Sequence, residues 1–291
     1  MKTFTGRAFV SSLTDAVHQK AVGNPAAVVV CEGSFPTYET MAAMAIANQM
    51  PMTAFLYHVT EEKFEICFYT PKGEPFVLCG HATIVAAWVL HQLHPSMKNF
   101  VFKRSATAIH VSDYFIPCCI SDDGEVQITM KAYPPILMDG DCVNTVVEPA
   151  GIACNDVAAT YFCKYLNDFI IELKSVVALR NAQPNFAILA KQLAVRKVRG
   201  LFLTARSSDV NADYEVRIFA PHYGINEDIS CGSANCSLLP LWHRLLSNGG
   251  EKAYRILCPY NNSTIEYGGW EHGSYNPFQN TIKIGGLVAA N

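Results

Sequence analysis

The stretch Leu78-Cys79-Gly80-His81-Ala82-Thr83 decides the fold, because it leads directly into the apolar run Ile84 to Leu90. A run that is apolar on every side predicts a helix surrounded by other structure rather than one lying on the surface. The segments on both sides are rich in β-branched and alternating apolar residues, which predicts strands. We therefore expect a sheet wrapped around one central helix that starts next to Cys79 and Gly80.

A second thiol-glycine pair follows in the other half of the chain, in Ser230-Cys231-Gly232-Ser233-Ala234, and it also leads into an apolar segment. At a helix start, unbonded backbone N–H groups and the helix dipole favour an anion. Two such starts facing one another predict a small anion-binding site formed by Gly80, Gly232 and Ser233. The alternative interpretation is tight-turn glycines with a hydroxyl cap.

The order of strands, thiol-glycine pair, buried helix and strands occurs twice, and Tyr133-Pro134-Pro135 is typical of a linker. The sequence thus predicts an α+β fold of two pseudo-symmetric domains, residues 1–133 and 134–291. A return of the last strand to the first half is left open. The pattern also predicts a helix at Tyr38 to Asn48, and strands at 109–111 and at Ser175 to Leu179.

The composition excludes several classes of partner. The chain has 291 residues, a formal net charge of -3 and no cluster of Lys and Arg, which argues against nucleic acid or an anionic membrane surface. No apolar run reaches the roughly 20 residues needed to span a bilayer. His91 and His94 lie beside Pro95 with no third ligand nearby in sequence, so we expect no metal site there.

The cysteines indicate a reducing compartment. There are 11 of them, an odd number, at irregular spacings and with no Cys-x-x-Cys pair. The N-terminus lacks the apolar core and cleavage site of a secretory signal. We therefore expect reduced thiols and a cytoplasmic location.

Several motifs in chain order resemble the PhzF family of phenazine-biosynthesis-like proteins, and together they cover nearly the whole chain. They are Gly23-Asn24-Pro25-Ala26-Ala27-Val28, Thr53-Ala54-Phe55, Thr70-Pro71, Cys79-Gly80-His81-Ala82-Thr83, and Phe219-Ala220-Pro221 through Glu227-Asp228 to Gly232-Ser233-Ala234. The resemblance implies a diaminopimelate-epimerase-like fold, in which each domain is a curved, mostly antiparallel sheet around a central helix. It also implies an active site between the domains, no cofactor, a small carboxylate substrate and a homodimer.

The resemblance fails at one informative position. In PhzF the reaction is isomerisation of a dihydro-hydroxyanthranilate by proton transfer, and the general acid/base is a glutamate immediately before Thr-Ala-Phe. Here that position holds Met52, whose thioether cannot carry a proton. Three other residues, His81, Asp228 and Ser233, match the family's remaining site residues.

Cys79 and Cys231 stand where the related proline racemases and diaminopimelate epimerases place two catalytic thiols. Proton exchange at a carbon beside a carboxylate needs a base on one face and an acid on the other, and two thiols at helix starts can supply both. The alternative is that both thiols are merely small, inert helix-start residues. His81 has the alternative of a structural histidine, and Asp228 that of a turn carboxylate.

Two hypotheses of function follow. The first is a cofactor-independent isomerase or epimerase that acts on a small carboxylate, with Asp228, His81, Cys79 and Cys231 as catalytic candidates. Substrate-binding candidates are Gly80, Gly232, Ser233 and Met52. The second is a catalytically inactive binding or scaffolding relative that keeps the pocket and lost the base through Met52.

Overall fold

The computed structural model describes residues 1–11, 21–105, 114–138, 144–247, 249–250, 252–262 and 265–291. The strand expected at 109–111 lies outside the described residues. The helices are α1 Tyr38–Asn48, α2 Gly80–Leu93, α3 Asn144–Val147, α4 Val176–Asn181, α5 Phe186–Val195 and α6 Asn235–Leu246. The strands are β1 Lys2–Val10, β2 Asn24–Cys31, β3 Thr53–Thr60, β4 Lys63–Tyr69, β5 Pro75–Phe76, β6 Asn99–Arg104, β7 Tyr114–Ile120, β8 Val126–Lys131, β9 Ile136–Leu137, β10 Val157–Cys163, β11 Asp168–Leu173, β12 Gly200–Arg206, β13 Tyr214–Ala220, β14 Ile225–Asp228, β15 Lys252–Asn262, β16 Ile265–Asn276 and β17 Thr281–Ala290.

The chain divides into two compact units. The first contains Met1–Met130, Cys231–Ser233 and Lys283–Asn291, and the second contains Lys131–Ser230 and Ala234–Ile282. In the described part of the chain, none of the helices has both the length and the hydropathy needed to cross a membrane.

The sheet of the first unit closes on itself. Pairing runs from β1 through β2, β3, β4, β6, β7 and β8 to β17, and β17 pairs with β1. The pairings β2–β3 and β4–β6 are parallel, and the other pairings whose direction is recorded are antiparallel. A closed sheet has no exposed edge strand.

Helix α2 is the apolar centre of this unit. It packs against β1, β2 and β3, and its residues from Gly80 to Leu90 are buried apart from Trp88. This burial confirms the prediction, made from the apolar run, of a helix surrounded by other structure. The predicted helix α1 is also confirmed, and its Met41 and Ala45 pack on β2, β3 and β4 through Val29, Phe55 and Cys67.

The second unit is a mixed sheet covered by helices. Strands β9, β10 and β11 pair antiparallel, β11 and β12 pair parallel, and β13 pairs with β12, β14 and β15. Strand β16 pairs antiparallel with β15 and packs against α6. Helices α3, α4 and α5 bury one apolar cluster against β11, β12 and β13.

The prediction of a strand at Ser175 to Leu179 is wrong. This segment is the start of helix α4, whose N-cap is Ser175 with its hydroxyl accepting a hydrogen bond from the Ala178 amide at 3.2 Å. The adjacent valines favour a strand by propensity, but the capping serine and the burial of Val176 and Leu179 in the helical layer outweigh that preference.

Candidate functional site

The first thiol-glycine pair lies at the N-terminus of α2. Cys79 is the N-cap, in an extended conformation with φ -131° and ψ 109°, and Gly80 is the first helical residue. The Cys79 carbonyl accepts hydrogen bonds from the Thr83 amide at 3.1 Å and from the Thr83 hydroxyl at 2.6 Å. The backbone at this helix start is therefore firmly held, and its first N–H groups have no partner inside the helix.

The second thiol-glycine pair touches the first within the same unit. A Cβ placed on Gly80 would lie 2.7 Å from the Ser233 amide nitrogen and 2.8 Å from the Gly232 carbonyl carbon. A Cβ on Gly232 would lie 3.4 Å from the Gly80 Cα. Only glycine at position 80 allows this approach, and the structure thus brings together Cys79, Gly80 and the Cys231–Ser233 segment.

The two thiols have different surroundings. Cys79 is buried, whereas Cys231 is half-buried and its Sγ lies 3.4 Å from the Ser233 hydroxyl oxygen. Gly232–Ala234 form a single 3-10 turn before α6 begins at Asn235. Ser233 is buried.

His81 is a neutral ring beside Cys79. Burial lowers the pKa of His81 to about 3, so the imidazole is uncharged at neutral pH. Its Nδ1 lies 3.1 Å from the Asn24 amide nitrogen, and the Cys79 sulfur lies 3.4 Å from Nδ1 and 3.7 Å from Nε2. Because an amide nitrogen only donates, Nδ1 accepts from Asn24 and Nε2 carries the proton. An Nε2–H group within reach of a sulfur can stabilise the thiolate.

Phe9 is a residue of this cluster that sequence reasoning missed. Its ring tip is the atom nearest to a Cβ placed on Gly232, at 3.0 Å. Phe9 is fully buried and has φ 67°, in the left-handed region that aromatic residues rarely adopt, at a register shift of β1 against β17. Strained backbone of this kind clusters at functional sites. The sequence carries no signal for it.

Met52 belongs to the first unit and Asp228 to the second. Met52 is buried just before β3, and its carbonyl accepts from the Ala27 amide at 3.0 Å. Because β2 and β3 are parallel, Asn24 and Met52 lie at the same end of these strands. Asp228 ends β14 in the second unit, three residues before Cys231 along the chain.

The residues that the structure describes include no group of three or more His, Cys, Asp or Glu side chains that could hold a metal ion.

Acid should destabilise the protein through His81. The unfolded ring has its ordinary pKa near 6.5 and the folded ring a pKa of about 3, so the unfolded state binds the extra proton first. The stability that the neutral ring contributes is present above pH 6.5 and is lost as pH falls towards 3. In chemical unfolding between pH 7 and 4.5, His81→Gln should lose less unfolding free energy than the wild type. Equal losses in both proteins would contradict the assignment.

The chain is similar to known proteins over most of its length. A family model described as phenazine biosynthesis-like protein, PhzC-PhzF, matches residues 14–258. An uncharacterized isomerase of Halalkalibacterium halodurans is 30% identical over 242 residues, which are 82% of this chain and 83% of the relative. A PhzC/PhzF protein of Clostridium difficile superposes with a TM-score of 0.77 at 25% identity and covers 99% of this chain and 96% of its own.

A more distant structure shares the fold alone. It is a hydroxyproline epimerase from Agrobacterium vitis with bound trans-4-OH-L-proline, at 11% identity and a TM-score of 0.55, covering 99% of this chain and 91% of its own.

Proposed function

Because this chain belongs to the phenazine biosynthesis-like protein family, as the sequence motifs predicted, we propose that it is a cofactor-independent isomerase or epimerase that moves a proton on a small carboxylate. The observation that carries the proposal is the contact of Gly80 with Gly232 and Ser233. This contact joins two backbone turns, each preceded by a cysteine, within one compact unit.

In this proposal the substrate carboxylate binds at the turns. The N–H groups of the first turn of α2 have no intrahelical partner, and the helix dipole places partial positive charge there. The Ser233 backbone amide lies directly against Gly80, and the Ser233 hydroxyl adds a further donor. Such donors favour an anion without any cationic side chain. Gly80, Gly232 and Ser233 are the proposed binding residues, with Met52 as an apolar wall.

The proton carriers in this proposal are Cys79 and Cys231. One sulfur, as thiolate, takes the proton from the carbon beside the carboxylate, and the electron pair delocalises into the carboxyl group. The other thiol then delivers a proton to the opposite face, so that the charge of the pair is unchanged and only its location differs. His81 supports this step as a neutral donor, because its Nε2–H lies 3.7 Å from the Cys79 sulfur.

Two further residues complete the proposal. Met52 replaces the glutamate of the family, and its buried thioether cannot exchange a proton, so the thiols assume that role. Asp228, the last residue of β14, is proposed as a carboxylate that assists the proton transfer. The described cysteines form no disulfide with one another, which supports the proposal of a cytoplasmic location. A homodimer is proposed from the family resemblance alone.

The second candidate function is that of an inactive binding or scaffolding relative. The buried Met52 and the low pKa of His81 favour it, because neither side chain can serve as an acid or base at neutral pH. This candidate keeps the anion-binding turns but gives no turnover.

Deuterium exchange separates the two candidates. Small carboxylates that raise the melting temperature would be incubated with the protein in deuterated water, and exchange of the C–H bond followed by NMR. We expect exchange with at least one such carboxylate. Asp228→Ala should lower its rate by about 10²-fold to 10⁴-fold, the usual contribution of a positioned acid or base, and Cys231→Ala should lower it as much for the one enantiomer whose C–H faces that thiol. Val210→Ala, at an exposed position, is the control and should leave the rate unchanged. Binding without exchange would support the inactive relative.

A further inference from the structure

A buried carboxylate in the second unit contacts both flanks of the Cys231–Ser233 segment. Glu271, on β16, is fully buried. One of its oxygens accepts hydrogen bonds from the Ser230 hydroxyl and, at 3.8 Å, from the Cys258 thiol. The other oxygen accepts from the Asn235 side-chain amide. Ser230 immediately precedes Cys231, and Asn235 begins α6 directly after the 3-10 turn.

We propose that Glu271 is a positioning residue, whose two carboxylate oxygens fix the two ends of the segment that carries Cys231, Gly232 and Ser233. A segment held by one rigid group at both ends has few backbone arrangements left to it. The Asn235 amide is itself oriented, because its oxygen accepts the Tyr214 hydroxyl at 2.7 Å. The catalytic consequence of this positioning rests on the proposed function, whereas the positioning itself does not.

The buried Glu271 carboxylate lowers the stability of the fold, which a purely structural role would not require. Its partners are a hydroxyl, an amide and a thiol, all of them neutral, and the neighbouring charge is the like charge of Asp228 on β14. Burial raises the pKa of Glu271 to about 7, from an ordinary value of 4.5. The folded state therefore binds a proton that the unfolded state does not, and keeping the side chain ionised above pH 7 lowers stability.

The geometry predicts that Glu271 holds the Cys231–Ser233 segment less firmly when its side chain is protonated. The ionised carboxylate accepts from Ser230 and Asn235 at once. Protonation makes these hydrogen bonds neutral and therefore weaker, and the acid O–H then donates to the Ser230 hydroxyl instead of accepting from it. The titratable groups around Glu271 are Asp228 on β14, Cys258 on β15 and, through Asn235, Tyr214 on β13. Burial keeps the pKa of the Tyr214 hydroxyl well above neutrality, so it stays protonated here.

Amide hydrogen exchange read by mass spectrometry tests the proposal without any substrate. In Glu271→Ala, the amides of residues 231–234 should exchange about tenfold faster than in the wild type, the effect of losing hydrogen bonds that hold the segment closed. Glu271→Gln keeps one acceptor and should give an intermediate rate. After correction for intrinsic chemistry, the wild-type rate should rise as pH falls through 7, and Glu271→Gln should show no such step.

The matched control is Glu215→Gln. Glu215 is a fully buried glutamate of the same unit, but its carboxylate binds Arg180 at 2.8 and 2.9 Å and Ser207 at 3.0 Å, not the segment. Ser230→Ala removes one contact of Glu271 and serves if a Glu271 variant fails to fold. Unchanged exchange at 231–234 in Glu271→Gln and Ser230→Ala, or equal acceleration in Glu215→Gln, would overturn the proposal.

Activity data distinguish this proposal from the proposed function. If the wild type exchanges a carboxylate C–H, Glu271→Gln should lower kcat about tenfold or more while KM changes less, because misplacement of a proton carrier affects the chemical step. If the wild type exchanges none, the proposed function fails, and the hydrogen-exchange result still decides the positioning. A kcat equal to that of the wild type in an active Glu271→Gln would also contradict the proposal.

Discussion

Replacing Gly80 by alanine is expected to remove the candidate site altogether. The new Cβ would lie 2.7 Å from the Ser233 nitrogen, 2.8 Å from the Gly232 carbonyl carbon and 2.9 Å from the Gly232 Cα. All three atoms belong to backbone, so no flexible side chain can move aside. The helix start or the Cys231–Ser233 segment must shift instead, at an expected cost of about 3 kcal/mol of unfolding free energy, the upper range for overpacking. Proton exchange should fall by at least about 10²-fold, because displaced groups no longer meet the substrate.

The neighbouring Gly232→Ala variant is the control for this prediction. There the nearest atom is the ring tip of Phe9 at 3.0 Å, and the Gly80 backbone is 3.4 Å away or farther. A ring can adjust by a few tenths of an ångström, so the loss of stability in chemical unfolding should be smaller than for Gly80→Ala. Equal stability of Gly80→Ala and the wild type would show that the two turns are not in the contact described.

Removing the guanidinium of Arg217 is expected to destabilise the second unit severely. Arg217 is buried, and its Nε and Nη2 donate to the two oxygens of Glu227 at 2.7 and 2.9 Å. Its Nη1 donates to the carbonyls of Leu179 and Ala182 at 3.0 and 2.8 Å, at the C-terminal end of α4. Arg217→Met leaves the Glu227 carboxylate and these carbonyls without the guanidinium donors. Breaking a buried pair in this way costs about 3–5 kcal/mol.

The double variant Arg217→Met/Glu227→Met shows whether the lost unfolding free energy comes from the buried Glu227 carboxylate that no longer has the Arg217 guanidinium as its partner. It should recover much of the unfolding free energy, because no buried carboxylate then lacks a partner. Lys98→Met is the control at the exposed pair with Asp122, and it should cost less than about 1 kcal/mol. A loss of similar size in Arg217→Met and Lys98→Met would contradict the role given to burial.

The Arg217 pair also bears on the candidate site. Glu227 directly precedes Asp228 on the short strand β14, so the bidentate contact holds the backbone that carries Asp228. An Arg217→Met protein that remains folded should therefore also lose part of any activity that depends on Asp228.

Local patterns in the sequence were sufficient for much of the fold. The apolar run after Gly80 predicted the buried helix α2, and helical spacing predicted α1 at its observed bounds. The segment after Ser175 was predicted wrongly, because its valines favour a strand while its capping serine starts a helix. The closed shape of the first unit's sheet could not be predicted from local sequence patterns. The sheet closes because β17 pairs with β1 and β8, and β17 and β1 lie at opposite ends of the chain.

The candidate site was predictable only where a motif marks it. The glycines at 80 and 232 carry a family motif, and the structure supplies the physical reason for Gly80. The contact of Asn24 with His81 and the grip of Glu271 on Ser230 and Asn235 join residues that are remote in sequence. The left-handed backbone of Phe9 lies at a register shift of β1 against β17, which no local pattern in the sequence encodes.

The most direct test of the two-thiol proposal is stereospecific deuterium uptake by single-thiol variants. With each enantiomer of an active carboxylate in deuterated water, the wild type should label both. Cys79→Ala and Cys231→Ala should each label only one enantiomer, the opposite one in the two variants, because each retains a base on one face only. Loss of interconversion together with this complementary labelling is the predicted result. Labelling of both enantiomers at wild-type rates in either variant would show that the thiols are not the proton carriers.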